Sequence, residues 1–287
     1  MTRVLSALVL LPVVIGTIWF LPAKATFVLA AIAAVLAFTE YRTIAKALGA
    51  DVPGLIGGTA VVLVCLAMFT GNSVSDNIMN GQVFVLPNEV YLILMAALIV
   101  VGALAVGRGR PGPAVLADAA ATLFAPVYLG LPLGALAALR ALGSSSAEAV
   151  ISNSGRIVVL LLLAVIVVSD SAQYYCGRAF GRRPLAPAIS PKKTIEGAIG
   201  GAVFGTAATA VGGFYVFGSP IWILILLGLA ISLLGMIGDL FESLLKRSAG
   251  VKDSGTLIPG HGGVLDRIDS WLFAAPVYYV FVRYLSF

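Results

Sequence analysis

The stretch from Ser243 to Asp269, SLLKRSAGVKDSGTLIPGHGGVLDRID, concentrates acids and bases in a chain that is otherwise apolar. Lys246, Arg247, Lys252 and Arg267 suit anionic oxygens, whereas Asp253, Asp266 and Asp269 suit a hard cation or a hydrogen-bond donor. Between them, Pro259-Gly260-His261-Gly262-Gly263 surrounds the only histidine with residues that admit positive φ and a close approach of ligand to main chain. Upstream, Asp239, Glu242, Ser243 and Lys246 recur at i, i+3, i+4 and i+7, which is one stripe of a helix. Lipid would not solvate that stripe, so it should face protein or a wet cavity; a salt-bridged, purely structural stripe is the alternative. Asp266 and Asp269 fall three apart at the start of the following helix and are expected to point the same way, towards Asp239. Three carboxylates beside phosphates form a hard-oxygen site for Mg²⁺, with room for a second cation. Asp266 can also cap its helix, and capping and binding are compatible.

A second group of cations lies in GRAFGRRPLAPAISPKKT, residues 177–194. No G-x4-G-K-[ST] frame surrounds Lys193-Thr194, so this is not a P-loop. Five cations ahead of a helix start suit anionic oxygens, or they serve only to anchor a membrane loop. Just before this loop, Asp170 closes an apolar run. A carboxylate at mid-bilayer costs about 2.5–3.5 kcal/mol, so Asp170 needs a partner or a cavity unless it sits at the membrane boundary.

The elements that must position these groups are membrane helices. The 287 residues are 60% apolar and only 11% charged, and mean hydropathy is +1.05. A soluble domain carries about a quarter charged residues. Nine apolar segments can be drawn: Val4–Leu21, Phe27–Ile44, Leu55–Thr70, Val90–Val106, Ala114–Leu139, Ile157–Tyr175, Ile195–Val216, Ile221–Leu245 and Trp271–Leu285. This predicts an all-α, polytopic integral membrane protein of about nine transmembrane helices. It forms one membrane domain over 1–287, with 1–150 mainly scaffold and 151–287 carrying the chemistry. Arg3, the first apolar run and Ala23-Lys24-Ala25 imitate a cleavable signal, but the run is long and another segment follows at once, so a retained span is expected. Pro126 and Pro132 predict a kink or break in the fifth segment. Gly197, Gly201 and Gly205 give one flat helix face, for a neighbouring span or a second subunit.

Charge gives orientation. Fourteen of the eighteen Lys and Arg residues fall on the side shared by the N-terminus and the loops after the second, fourth, sixth and eighth segments. Lys24, Arg140, Arg156 and Arg283 fall on the other side, with polar loops around residues 71–87 and Ser144–Ser146. The positive-inside rule puts the first side, with the acid-rich stretch, in the cytoplasm. A sequence pI near 9.3 would suit nucleic acid, but the cations flank membrane segments and suit lipid headgroups; no nucleic-acid partner is expected. Glu40, Tyr41 and Arg42, which close the second segment, and Asp118 are read as interface residues. Cys65 and Cys176 have no metal or framework spacing and are read as small apolar fillers.

The run over 243–269 fits S-x-x-K-R-x4-K-D-x-G-x3-P-x-H-G-G-x-x-D-R-x-D position by position. By this the chain resembles the phosphatidate cytidylyltransferases, or CDP-diacylglycerol synthases. Ile189-Ser190-Pro191-Lys192-Lys193-Thr194 with Glu196-Gly197 is similar to that family's I-S-P-x-K-T-x-E-G element, with Ile195 in place of an aromatic residue. Asp170 falls in its D-x-x-A-Y region, where Gln173 stands in place of Ala. The resemblance is strong over roughly the last 120 residues and implies transfer of CMP from CTP to phosphatidate, releasing pyrophosphate. It implies catalytic roles for Asp239, Lys246, Arg247, Lys252, Asp253, His261, Asp266, Arg267 and Asp269. Substrate contacts would come from Asp170, Ser190, Lys192, Lys193, Thr194, Glu196, Glu242 and Ser243, and the metal from Asp239, Asp266 and Asp269. His261 would bond a phosphate or support its turn rather than hold metal. The family also implies a bacterial inner-membrane enzyme, with room for a homodimer. A CTP-dependent polyprenol kinase, or a cytidylyltransferase for another lipid acid, is the nearer alternative. The farther one is a transporter using the Asp–Lys stripe, which leaves the His-Gly-Gly loop unexplained.

Overall fold

The computed structural model describes residues 2–71, 88–109, 111–142, 154–257, 260 and 262–284. Each of the nine expected segments is helical: α1 (Thr2–Phe20), α2 (Ala23–Ala47), α3 (Gly54–Thr70), α4 (Asn88–Arg108), α5 and α6 (Ala114–Ala125, Leu131–Ala141), α7 (Ser154–Phe180), α8 (Ile195–Phe217), α9 (Ile221–Ser248) and α10 (Leu265–Tyr284). Among the described residues, six helical stretches are long and apolar enough to cross a membrane, and Leu11–Phe20 and Gly54–Thr70 are shorter apolar helices. Their outward faces carry large apolar side chains such as Leu92, Leu116, Phe204 and Tyr215, which suit lipid. The protein is a polytopic membrane protein of the all-α class, with its apolar segments all helical. The polar loop around 72–87, Ser144–Ser146 and His261 lie outside the described residues.

The chain forms two compact units, one of Met1–Leu142 with Ser248–Asp266, the other of Gly143–Arg247 with Arg267–Phe287. In the first, Val61, Val64, Met68, Leu129 and Leu139 are fully buried. At the prolines, where a kink or break is expected, a π-helical turn over Pro126–Gly130 joins α5 to α6 without a break. Pro126 has no N–H to give to a regular i→i−4 bond, and one wide turn absorbs that loss. Glycine then lets α3 lie against this rod: a Cβ at Gly130 would sit 2.6 Å from the Val61 carbonyl, and one at Gly134 2.7 Å from Met68 Cβ. Cys65 is buried in this contact, as a filler should be. Buried Arg140, at the end of α6, donates to the carbonyls of Ile18 (2.9 Å) and Leu21 (2.8 Å), and so satisfies the C-terminus of α1.

In the second unit α7 and α8 form the closest pair. Gly197, Gly200, Gly201 and Gly205 have no room for side chains; a Cβ at Gly197 would meet the Gln173 carbonyl at 2.6 Å, and one at Gly200 would meet Cys176 Sγ at 2.5 Å. The glycine face thus serves a neighbouring span, and Gly201 makes the room that Gln173 needs where a smaller residue would otherwise be required. Gly197→Val is expected to lower the melting temperature in detergent. The clash is with backbone, which cannot swing aside, and overpacking of this kind costs about 1–3 kcal/mol. An unchanged unfolding midpoint would count against this packing. Between the two helices the cationic loop is not irregular: β1 (Pro184–Ala186) pairs antiparallel with β2 (Ser190–Thr194), Pro184 opposite Thr194 and Ala186 opposite Ser190.

Candidate functional site

In the second unit the site is built around the C-terminal half of α9. A helix of 28 residues is about 42 Å long, more than a bilayer core of about 30 Å, so its charged end can emerge from the hydrocarbon. Gly238 has no side chain, and that lets the backbone of α10 come against α9 at Asp269, with the Phe273 ring beside it. Phe241 and Phe273 pack as a tilted pair next to this contact, their ring centroids 5.6 Å apart. The close approach brings Asp239 and Asp269 into one electrostatic field, which also includes Asp170 of α7 and Lys246. Asp170 in turn feels both Asp239 and Lys193, and its Oδ1 accepts from Gln173 Nε2 at 3.2 Å. Asp170 therefore has the partners that a carboxylate on an apolar helix needs.

The hairpin delivers Lys193. Thr194 Oγ1 caps α8 by accepting from Gly197 N at 3.1 Å, and Glu196 Oε2 accepts from the backbone N of Arg182 (3.0 Å) and Arg183 (3.3 Å). Those bonds tie the start of the hairpin to the start of α8. Lys193, held on β2, forms an ion pair with Asp239, while Lys192 on the same strand is exposed. Ser190 lies at the other end of β2, opposite Ala186. Thr194 and Glu196, expected at substrate, are thus occupied in shaping the hairpin that carries the two lysines.

The stripe on α9 faces protein. Glu242 and Lys246 are buried and paired with each other, and Ser243 Oγ lies 3.4 Å from Asp239 Oδ1. Arg247 and Arg267 are exposed. Asp170, Asp239 and Asp269 share one electrostatic field with Lys193 and Lys246, and Lys246 is also paired with Glu242. Among the described residues no group of three or more His, Cys, Asp or Glu side chains is arranged to hold a metal ion. The donor set nevertheless suits a divalent cation in kind, because hard carboxylate oxygens carry its opposite charge.

The first unit holds the signature loop, which Asp266 helps to close. Its Oδ2 accepts from Ser254 N (3.0 Å), Ser254 Oγ (2.9 Å) and Gly263 N (2.7 Å), so its carboxylate closes the loop on itself. That is the capping role written large. Gly260 and Gly262 take positive φ, 77° and 79°, as the turn requires. Lys252 and Asp253 are exposed on the same loop. Sequence reasoning missed Glu40: it is buried under this loop, accepting from Ser254 Oγ, Val264 N and Leu265 N at 2.8–2.9 Å. The one available signal was a carboxylate within an apolar segment, which asks for a partner. Asp118, by contrast, belongs to a surface cluster with Asp51 and Arg108.

A profile of the cytidylyltransferase family matches residues 1–285. The uncharacterized protein YnbB of Escherichia coli is 45% identical over 119 residues, 42% of this chain and 40% of that protein. A phosphatidate cytidylyltransferase of Staphylococcus haemolyticus is 48% identical over 111 residues, 38% of this chain and 43% of its own length. One from Synechocystis sp. is 50% identical over 116 residues, 40% of this chain and 39% of its own length. The matched stretch spans about two fifths of the length of each of these relatives. The profile, however, runs almost from end to end, and by it the chain belongs to the cytidylyltransferase family.

Proposed function

We propose that this protein transfers CMP from CTP to phosphatidate, giving CDP-diacylglycerol and pyrophosphate. A phosphatidate oxygen attacks the α-phosphorus of CTP; one P–O bond forms, the α–β anhydride bond breaks, and pyrophosphate leaves with the electron pair. No general base is needed, since a phosphate monoester is already largely ionised near neutral pH. The protein must bring two anions together and balance their charge, which is work for position and electrostatics.

The observation that carries this reading is the field around α9, in which Asp170, Asp239 and Asp269 meet Lys193 and Lys246, while Lys192, Arg247 and Arg267 are exposed. Lys193 is paired with Asp239 and can turn to a phosphate; Lys192, Arg247 and Arg267 supply further positive charge. A magnesium ion held by Asp239 and Asp269 would add charge to the phosphates when bound. The same reading has the protein sit in the bacterial inner membrane with this site facing the cytoplasm, and a homodimer there is open to crosslinking. Two contacts support the alternation of helix ends that this needs: Arg140 joins the ends of α1 and α6, and Glu40 joins the end of α2 to the loop after α9.

The test is purified protein with Mg²⁺, CTP labelled in the γ-phosphate, and a panel of lipid phosphates. The expected result is labelled pyrophosphate released one-for-one with CDP-diacylglycerol, and only with phosphatidate present. Labelled lipid with CDP as co-product would mean a kinase. No turnover with any acceptor would sink the transferase reading.

A further inference from the structure

We propose that Glu40, from the N-terminal half of the chain, is the positioning residue of the signature loop. It touches no reacting atom; it holds Ser254, Val264 and Leu265, near the two ends of that loop, together. The geometry is a buried carboxylate that is 4% exposed and receives three donors from that segment. Oε2 accepts from Ser254 Oγ (2.9 Å) and Leu265 N (2.8 Å), and Oε1 accepts from Val264 N (2.9 Å). Leu265 opens α10, so Glu40 satisfies backbone N–H groups at a helix start, where no intrahelical acceptor exists. Hydrogen bonds to a charged acceptor are among the stronger ones, and burial strengthens them further.

Two glycines of the signature fit this role and no other that their backbone shows. Gly255 and Gly263 do not take positive φ, unlike Gly260 and Gly262. A Cβ at Gly255 would lie 2.8 Å from Glu40 Oε1, and one at Gly263 would overlap both the Glu40 carboxylate and Ser254 Oγ. The close approach that glycine permits at these positions is therefore to the protein's own Glu40. Ser254 is shared by two carboxylates: its hydroxyl lies 2.9 Å from Glu40 Oε2 and 2.9 Å from Asp266 Oδ2. Glu40 is the outer support of the carboxylate that closes the loop, and α2 has a direct part in shaping the motif.

The inference rests on the cytidylyltransferase reading only where turnover is measured; anchoring itself is tested without substrate. Full-length Glu40→Gln, Glu40→Asp and wild type are compared in detergent by hydrogen exchange and by CDP-diacylglycerol formation. Glu40→Gln keeps size but puts an NH₂ donor among donors. Exchange over 254–266 should rise roughly tenfold while that of 155–180 stays put, and kcat should fall roughly tenfold with the KM for CTP little moved. Glu40→Asp keeps the charge one methylene short and should recover part of kcat. Unchanged loop exchange in Glu40→Gln overturns the proposal, and so does faster exchange with wild-type kcat. Should Glu40→Gln not fold, Ser254→Ala removes one donor and must shift both readouts in the same direction. A wild type with no CTP turnover on any lipid phosphate removes the cytidylyltransferase reading, and the exchange arm then judges the anchor alone.

Discussion

Asp239→Asn and Asp269→Asn should each reduce CDP-diacylglycerol formation by about 10³-fold while leaving the folded protein in detergent. The two residues sit where α9 and α10 touch at Gly238, and each lies in the other's field. On the proposed reading, removing one negative charge there changes the balance that two substrate phosphates and a bound cation would meet. The fold has less at stake, because Asn keeps the volume and the capacity to accept from Ser243 Oγ or Ser270 N. Asp239→Asn also releases Lys193 from its ion pair, so a free lysine alone does not restore turnover if the carboxylate is needed for charge. A Mg²⁺ titration separates ligand loss from misfolding: part of the rate should return at high Mg²⁺ in either variant. Near-normal rates in both at ordinary Mg²⁺ would remove these two carboxylates from the chemistry. Lys24→Ala, an exposed residue at the start of α2, serves as the control and should behave as wild type.

The parts of this fold that were legible in the sequence are those governed by solvent. Nine apolar segments became helices because a bilayer leaves no other way to satisfy the backbone, and the i, i+3, i+4, i+7 stripe on α9 had to face protein because lipid would not take it. Local pattern could not show which acids meet. Asp266 and Asp269 are three residues apart, yet Asp266 is engaged by Ser254 and Gly263 while Asp269 shares the field of Asp239 and Asp170. That difference arises from a loop closing on itself, a tertiary event with no periodicity to betray it. The hairpin over 184–194 was hidden for a related reason: Gly and Pro in GRAFGRRPLAPAISPKKT read as a breaker-rich loop, and only the bonds from Arg182 and Arg183 to Glu196 reveal how it is tied. Glu40 was hidden most deeply. It lies more than two hundred residues from the groups it holds, and its position at the end of an apolar helix is also where an ordinary interfacial carboxylate belongs.

Asp266→Asn should lower turnover by about 10²-fold, a loss that added Mg²⁺ does not restore. Two roles are open to this carboxylate, holding a metal and closing the loop, and loss of either gives a defect. If Asp266 were a metal ligand, the variant would bind the cation more weakly and excess Mg²⁺ would bring activity back. The geometry argues for the other account. One oxygen, Oδ2, gathers Ser254 N, Ser254 Oγ and Gly263 N within 3.0 Å, and a Cβ at Gly262 would collide with it. An amide cannot accept all of these as a carboxylate does, and if its NH₂ turns inward it meets donors with a donor. The loop that carries Lys252 and Asp253 then loses its fixed shape, and misplacement by about 1 Å is enough for a loss of about 10²-fold. Hydrogen exchange over 254–266 should rise in step with the loss, whereas in Asp239→Asn it should not. Recovery of Asp266→Asn at high Mg²⁺, with loop exchange as in wild type, would return Asp266 to the metal and take the cap away from it.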